Sequence, residues 1–274
     1  MCRFDSHNLD PDLLATLLER FLASEDMDGP LPDSSTIREI VGRLETSQAI
    51  DRQRLIGLEF HLIPALGYDN EHCARTLYDE VLSNPASYIE FLKLIFRPAT
   101  QKVTSEVSDR DKAAAQIAYR VLMHCKRVPG SRPDGTIDET AFSNFIERGR
   151  TLASQADRTR VFDVHFGEIL AYAPIGEDGI WPFKAARDLL DRPELNHMRN
   201  GLHTGLYNKR GMVTKGYVEG GTQERQLATN YRKQAAALHQ SHPLLAAVLD
   251  QLADHYDRYG RHEDVEARLR NEGD

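Results

Sequence analysis

Few residues in this chain could staple or anchor a fold. Of its 274 residues three are cysteine: Cys2, Cys73 and Cys125. An odd number without a Cys-x-x-Cys pair excludes a disulfide framework and a zinc ribbon, and suits a reducing cytoplasm. Trp181 is the single tryptophan. No apolar run approaches the roughly 18 residues of a spanning helix, and Arg3, Asp5, Asp10 and Asp12 stand where a signal peptide would be apolar. The expectation is a cytoplasmic protein with no membrane partner. The Gly-x-Ser-x-Gly elbow, the P-loop and the dinucleotide fingerprint are also missing, and with them the commonest serine-hydrolase and nucleotide chemistries.

The residues that are present, 41% hydrophobic and 28% charged, describe a globular chain able to bury one large core or two modest ones. With 34 Lys plus Arg against 42 Asp plus Glu the formal net charge is -8. A surface that coats nucleic acid is excluded, leaving at most a local anionic contact.

Apolar side chains recur at helical spacing almost throughout. Residues 11–24 carry Leu14, Leu18 and Phe21 on one stripe, with Asp10 as N-cap and Pro11 at the first helical position. Further helices are expected from Ser34 or Ser35, over 50–66 with Pro64 and Gly67 as stops, over 70–82, from Asn84-Pro85, and from Ser108 or Asp109 to about 127. Residues 128–136 contain Pro129, Gly130, Pro133 and Gly135 and cannot continue a helix. They divide an N-terminal helical subdomain, 1–128, from a C-terminal one, 137–274. The second holds helices over 138–155, 157–173, 182–190, 194–207, 222–239 and 243–269. Eleven or twelve helices without an alternating strand indicate an all-α fold, either an irregular helical-hairpin solenoid or a multi-helix bundle.

Six of 18 glycines fall between Gly201 and Gly221, framing a Gly-rich loop over 208–222. From Arg199 to Lys233 seven basic side chains face two acidic ones, a local +5 in a molecule of -8. Glycine permits positive φ, which turns amides toward a ligand, and a helix start adds its dipole. The Gly220, Gly221 and Thr222 amides with Lys209, Arg210 and Lys215 therefore form a candidate pocket for a small anion or nucleotide, which would make the protein a ligand sensor. Glu224 opposes it, occupying the first turn of the next helix. The plainer reading is an interaction loop presenting Asn208, Lys209, Arg210, Lys215, Tyr217, Gln223 and Arg225 to a protein partner.

Catalytic constellations are sparse. Arg160 and His165 have the Arg-x4-His spacing of the all-helical HEPN ribonucleases, in which the pair stabilises a charged phosphorane and moves protons. The likeness is confined to those two residues, and His165 sits in an apolar run. Glu194-x-x-His197 is one Glu-x-x-His unit where a di-iron bundle needs two, so neither metal nor cofactor is expected. His239, His242, His255 and His262 read as surface histidines at helix ends, and Cys73 and Cys125 as buried, inert thiols. Trp181, before Pro182, reads as a plug between helices or as an exposed anchor for a partner.

Several phrases stand out together: Pro129-Gly130 with Asp134-Gly-Thr-Ile-Asp138, Asp178-Gly-Ile-Trp-Pro182, Asn208-Lys-Arg-Gly211 and Gly220-Gly-Thr-Gln-Glu-Arg225. As a set, spanning residues 55–269, they resemble an all-helical region at the C-terminal end of large bacterial proteins, some with the look of defence or signalling proteins. The resemblance implies the fold and brings no catalytic residue with it. Fold and sequence together point to a non-catalytic scaffold binding a protein partner or a companion domain.

Overall fold

The computed structural model describes residues 9–23, 33–47, 49–66, 70–101, 107–214, 216 and 219–272. Among them it has thirteen α-helices: α1 (Pro11–Ala23), α2 (Ser34–Thr46), α3 (Arg52–Leu66), α4 (Asn70–Cys73), α5 (Arg75–Ser83), α6 (Pro85–Ile95), α7 (Asp109–His124), α8 (Glu139–Gln155), α9 (Thr159–Leu170), α10 (Lys184–Leu190), α11 (Asn196–Lys209), α12 (Thr222–Leu238) and α13 (Pro243–Glu272). A 3-10 turn, Pro193–Leu195, leads into α11. The only extended pairing among the described residues is an isolated bridge between Ser131 and Ile137. The fold is an all-α multi-helix bundle.

Local start signals act as their chemistry dictates. The carboxylates of Asp10 and Asp33 accept the first-turn amides of α1 and α2, Asn84 caps α6 and Ser108 caps α7. The helix expected over 70–82 is instead two, because Ala74 leaves helical geometry at φ -131 and ψ 55. The freed amides at the start of α5 are taken by carboxylates from other helices. Glu45 on α2 accepts from Arg75 N at 2.7 Å, and fully buried Glu59 on α3 accepts from Leu77 N at 2.6 Å. This break raises the helix number above the eleven or twelve that periodicity suggests.

The chain forms two units. One comprises the described residues up to Pro129 together with Phe145–Arg158; the other comprises Gly130–Asn144 and the described residues from Thr159 on. This differs from a single break at 128–136, because α8 contributes its first residues to the second unit and the rest to the first. In the first unit Tyr78 and Tyr88 are fully buried, and Phe145 of α8 meets Tyr88 edge-on at 5.8 Å. The α8 segment is held further by Thr100, whose amide and hydroxyl both donate to Asp157.

The second unit rests on two close helix pairs. Gly201 and Gly205 lie inside α11, not in the loop. A Cβ on Gly201 would stand 1.9 Å from the carbonyl oxygen of Val164, and one on Gly167 of α9 would stand 2.0 Å from that of Met198. Helices α9 and α11 thus touch backbone to backbone, which no larger residue permits. A similar contact joins α12 to α13, where a Cβ on Gly221 would lie 2.1 Å from the Gly260 carbonyl oxygen.

Candidate functional site

The end of α11, residues 211–214 and the start of α12 supply the Gly-rich region. Lys209 does not reach into the loop: its Nζ donates to the Ala171 carbonyl at 2.9 Å and stands 5.2 Å from the Tyr172 ring centre, and burial lowers its pKa. Arg210 forms an ion pair with Glu224, a side chain with no exposed surface, and lies 5.4 Å over the Tyr256 ring. Tyr256 also stacks with Tyr207, at 6.3 Å, and with Tyr231, at 5.9 Å. Burial pushes the Tyr231 phenol up to about 12. An arginine held between a buried carboxylate and an aromatic face is fixed in place and largely neutralised.

The α12 N-terminus, where an anion would bind, is already occupied by a carboxylate. Asp264 of α13 accepts from Gly221 N at 2.9 Å and pairs with Arg225. The Gly221 amide and then the Arg225 side chain hold the Asp264 carboxyl below its usual range. Gln223 donates to Glu219 at 2.7 Å and to the Thr214 carbonyl at 3.2 Å, bracing the loop. Asn208 is exposed. Lys215 and Tyr217 lie outside the described residues. Of the basic side chains expected to serve this loop, Lys209, Arg210 and Arg225 are each committed to a partner within the fold.

These pairings frame a groove of about 670 Å³ beside the loop, lined among others by Tyr207, Arg210, Met212, Val213, Tyr259 and Arg270. Met212 is wholly exposed, and Tyr207 and Tyr259 are 47% and 43% exposed. Asn208 also lines the groove; apart from it and Arg210, this set escapes sequence reasoning. Its signal is faint: Tyr207 and Tyr259 are far apart in the chain and fall on helix flanks where an aromatic draws no notice.

The remaining candidates sit elsewhere. Arg160 is exposed while His165 is 7% exposed, and burial lowers its pKa to about 4, so its ring is neutral near pH 7. The two therefore offer a phosphodiester no common surface. Trp181 is half-buried, its indole N–H donating to the Ala173 carbonyl at 2.8 Å between α9 and α10. Cys125 is buried, which pushes its thiol pKa up and makes it inert. Among the described residues one trio of histidine and carboxylate side chains lies close together, His262, Glu263 and Glu266, all on α13, and Glu194 and His197 belong to no such trio. There Glu266 is also held by Arg270 at 2.8 Å.

Comparison of the chain with protein-family models, with curated proteins and with solved structures gives no match.

Proposed function

We propose that the chain is a helical interaction domain that binds a protein partner through the groove beside the Gly-rich loop. The observation that carries this reading is the groove's composition. Exposed Tyr207, Met212 and Tyr259 surround an Arg210 whose charge is answered by buried Glu224. Tyrosine and arginine on a rigid support are the residue types that anchor protein interfaces, and exposed apolar side chains gathered at one place mark such surfaces. A small anion is favoured less, since Asp264 and Glu224 already satisfy the helix start and the arginines. The resemblance to C-terminal regions of large bacterial proteins supports a partner from the same polypeptide or the same cytoplasmic system. No described helix is long and apolar enough to cross a membrane.

The test is site-specific photocrosslinking in the native cell, with the reactive group at position 212 and a control at exposed Glu147. The expected outcome is a discrete adduct from position 212 that disappears when Tyr259→Ser is added. An adduct equally strong from position 147, or none from position 212, overturns the reading. Titration with a nucleotide panel is expected to produce no heat.

A further inference from the structure

A chain of hydrogen bonds on the second unit, away from the residues assigned to the groove, joins a serine, a histidine and an aspartate. Ser241 and His242 lie in the turn between α12 and α13, and Asp188 lies on α10. His242 Nδ1 is 2.9 Å from Ser241 Oγ, and His242 Nε2 is 3.0 Å from Asp188 Oδ1. Ser241 is exposed to incoming reagents, whereas the His242 side chain is only 13% exposed. Lys184 Nζ holds the other Asp188 oxygen at 2.5 Å. Burial acts to raise the Asp188 pKa, but the hydrogen bonds from Lys184 and His242 keep it below the usual carboxylate range.

The neighbours dictate the tautomer. An ionised Asp188 can only accept, so in the neutral ring Nε2 carries the hydrogen and Nδ1 presents its lone pair. Ser241 must then donate its hydroxyl hydrogen to Nδ1. This is nucleophile, base and orienting acid in sequence, with the two ring nitrogens exchanged relative to the serine-protease arrangement.

We propose that Ser241 is an acyl-acceptor site, activated by His242 and Asp188 toward activated acyl groups such as aryl esters, thioesters or acyl phosphates. Ser241 Oγ attacks the acyl carbon while its proton passes to His242 Nδ1. The bond to the leaving group breaks, the leaving group departs with the bonding pair, and the imidazolium returns its proton to that group or to water. The product is an O-acyl serine. The nearby amides of Leu244 and Leu245 already donate to Asp191 Oδ1, at 2.7 and 3.3 Å, and give no oxyanion cradle. The chemistry is therefore a single acylation of the chain, a covalent mark, in keeping with an interaction domain and independent of what the groove binds.

The test treats the full chain with p-nitrophenyl acetate and follows acetylation of each serine by peptide mass spectrometry, with exposed Ser83 and Ser154 as internal references. Ser241 is expected to react fastest. His242→Gln should slow it by roughly 100-fold, the scale of general-base assistance. Asp188→Asn is the sharper variant. Lys184 orients the new amide so that its NH2 faces Nε2, which moves the ring hydrogen to Nδ1 and turns the base into a donor, with the hydrogen-bonded joint kept. It should abolish the advantage of Ser241 without lowering the melting temperature. Ser241 reacting no faster than Ser83 and Ser154, or a rate unmoved by both variants, overturns the proposal.

Discussion

At the scale of single residues, glycines of identical appearance in the sequence do opposite things. Gly201 is where α9 and α11 touch, and a Cβ there meets a backbone oxygen that cannot turn away. Gly201→Ala is expected to destabilise the protein by about 2 kcal/mol or more, read as a lower thermal midpoint. Gly42, inside α2, has nothing within 4 Å of an added Cβ. Gly42→Ala is expected to stabilise by about 0.5–1 kcal/mol, because alanine gives up less backbone freedom on entering a helix. Glu59 makes a pH prediction. Burial, with Glu45 alongside, pushes its pKa up to about 7 against the Leu77 amide, which lowers it. The folded state thus holds this proton more tightly than the unfolded chain does. The resulting stability is full below about pH 4.5, the ordinary glutamate value, and is lost as pH rises to about 7. Glu59→Gln keeps an acceptor for Leu77 and should flatten the fall in melting temperature between pH 5 and pH 8; an unchanged slope would count against the buried carboxyl as its source.

At the scale of elements, several helix starts encoded within four residues were legible, although Asp157, read as opening a helix, binds Thr100 instead and α9 starts at Thr159. Asp10, Asn84 and Ser108 cap the helices that follow them, and Pro11 and Pro85 open theirs. What escaped was capping supplied from afar. Nothing near Ala74 announces a break, since the acceptors that reward it, Glu45 and Glu59, belong to α2 and α3. The start of α12 is a second instance: Gly220 and Gly221 invite an anion, and the anion is Asp264, more than forty positions along, on α13. Replacing it removes both the acceptor of the Gly221 amide and the partner of Arg225. In Asp264→Ala, hydrogen exchange in the first turn of α12 is expected to accelerate while the middle of the helix keeps its protection. Uniform acceleration along α12 would show that Asp264 holds the whole helix and not its start.

At the scale of the whole molecule, the assignment of 145–158 to the first unit has a consequence for any shortened chain. A fragment of residues 1–129 lacks the Phe145 ring that meets Tyr88, the Asp157 that binds Thr100, and Arg158, which donates to the Phe96 carbonyl at 2.9 Å. It is expected to melt without cooperativity, whereas 1–158 should melt in one transition; circular dichroism distinguishes them. Composition, periodicity and local caps determined by themselves that this is an all-α chain, roughly where its helices run, and that it carries a basic, Gly-rich stretch in an acidic molecule, because these depend on interactions within a turn or two of the backbone. Only the tertiary structure decided that Gly201 and Gly205 serve packing, that Arg210 and Arg225 are neutralised by Glu224 and Asp264, and that Ser241, His242 and Asp188 stand in line. A side chain's charge and reach are written in its sequence position, but the partner that uses them is chosen by which helices meet.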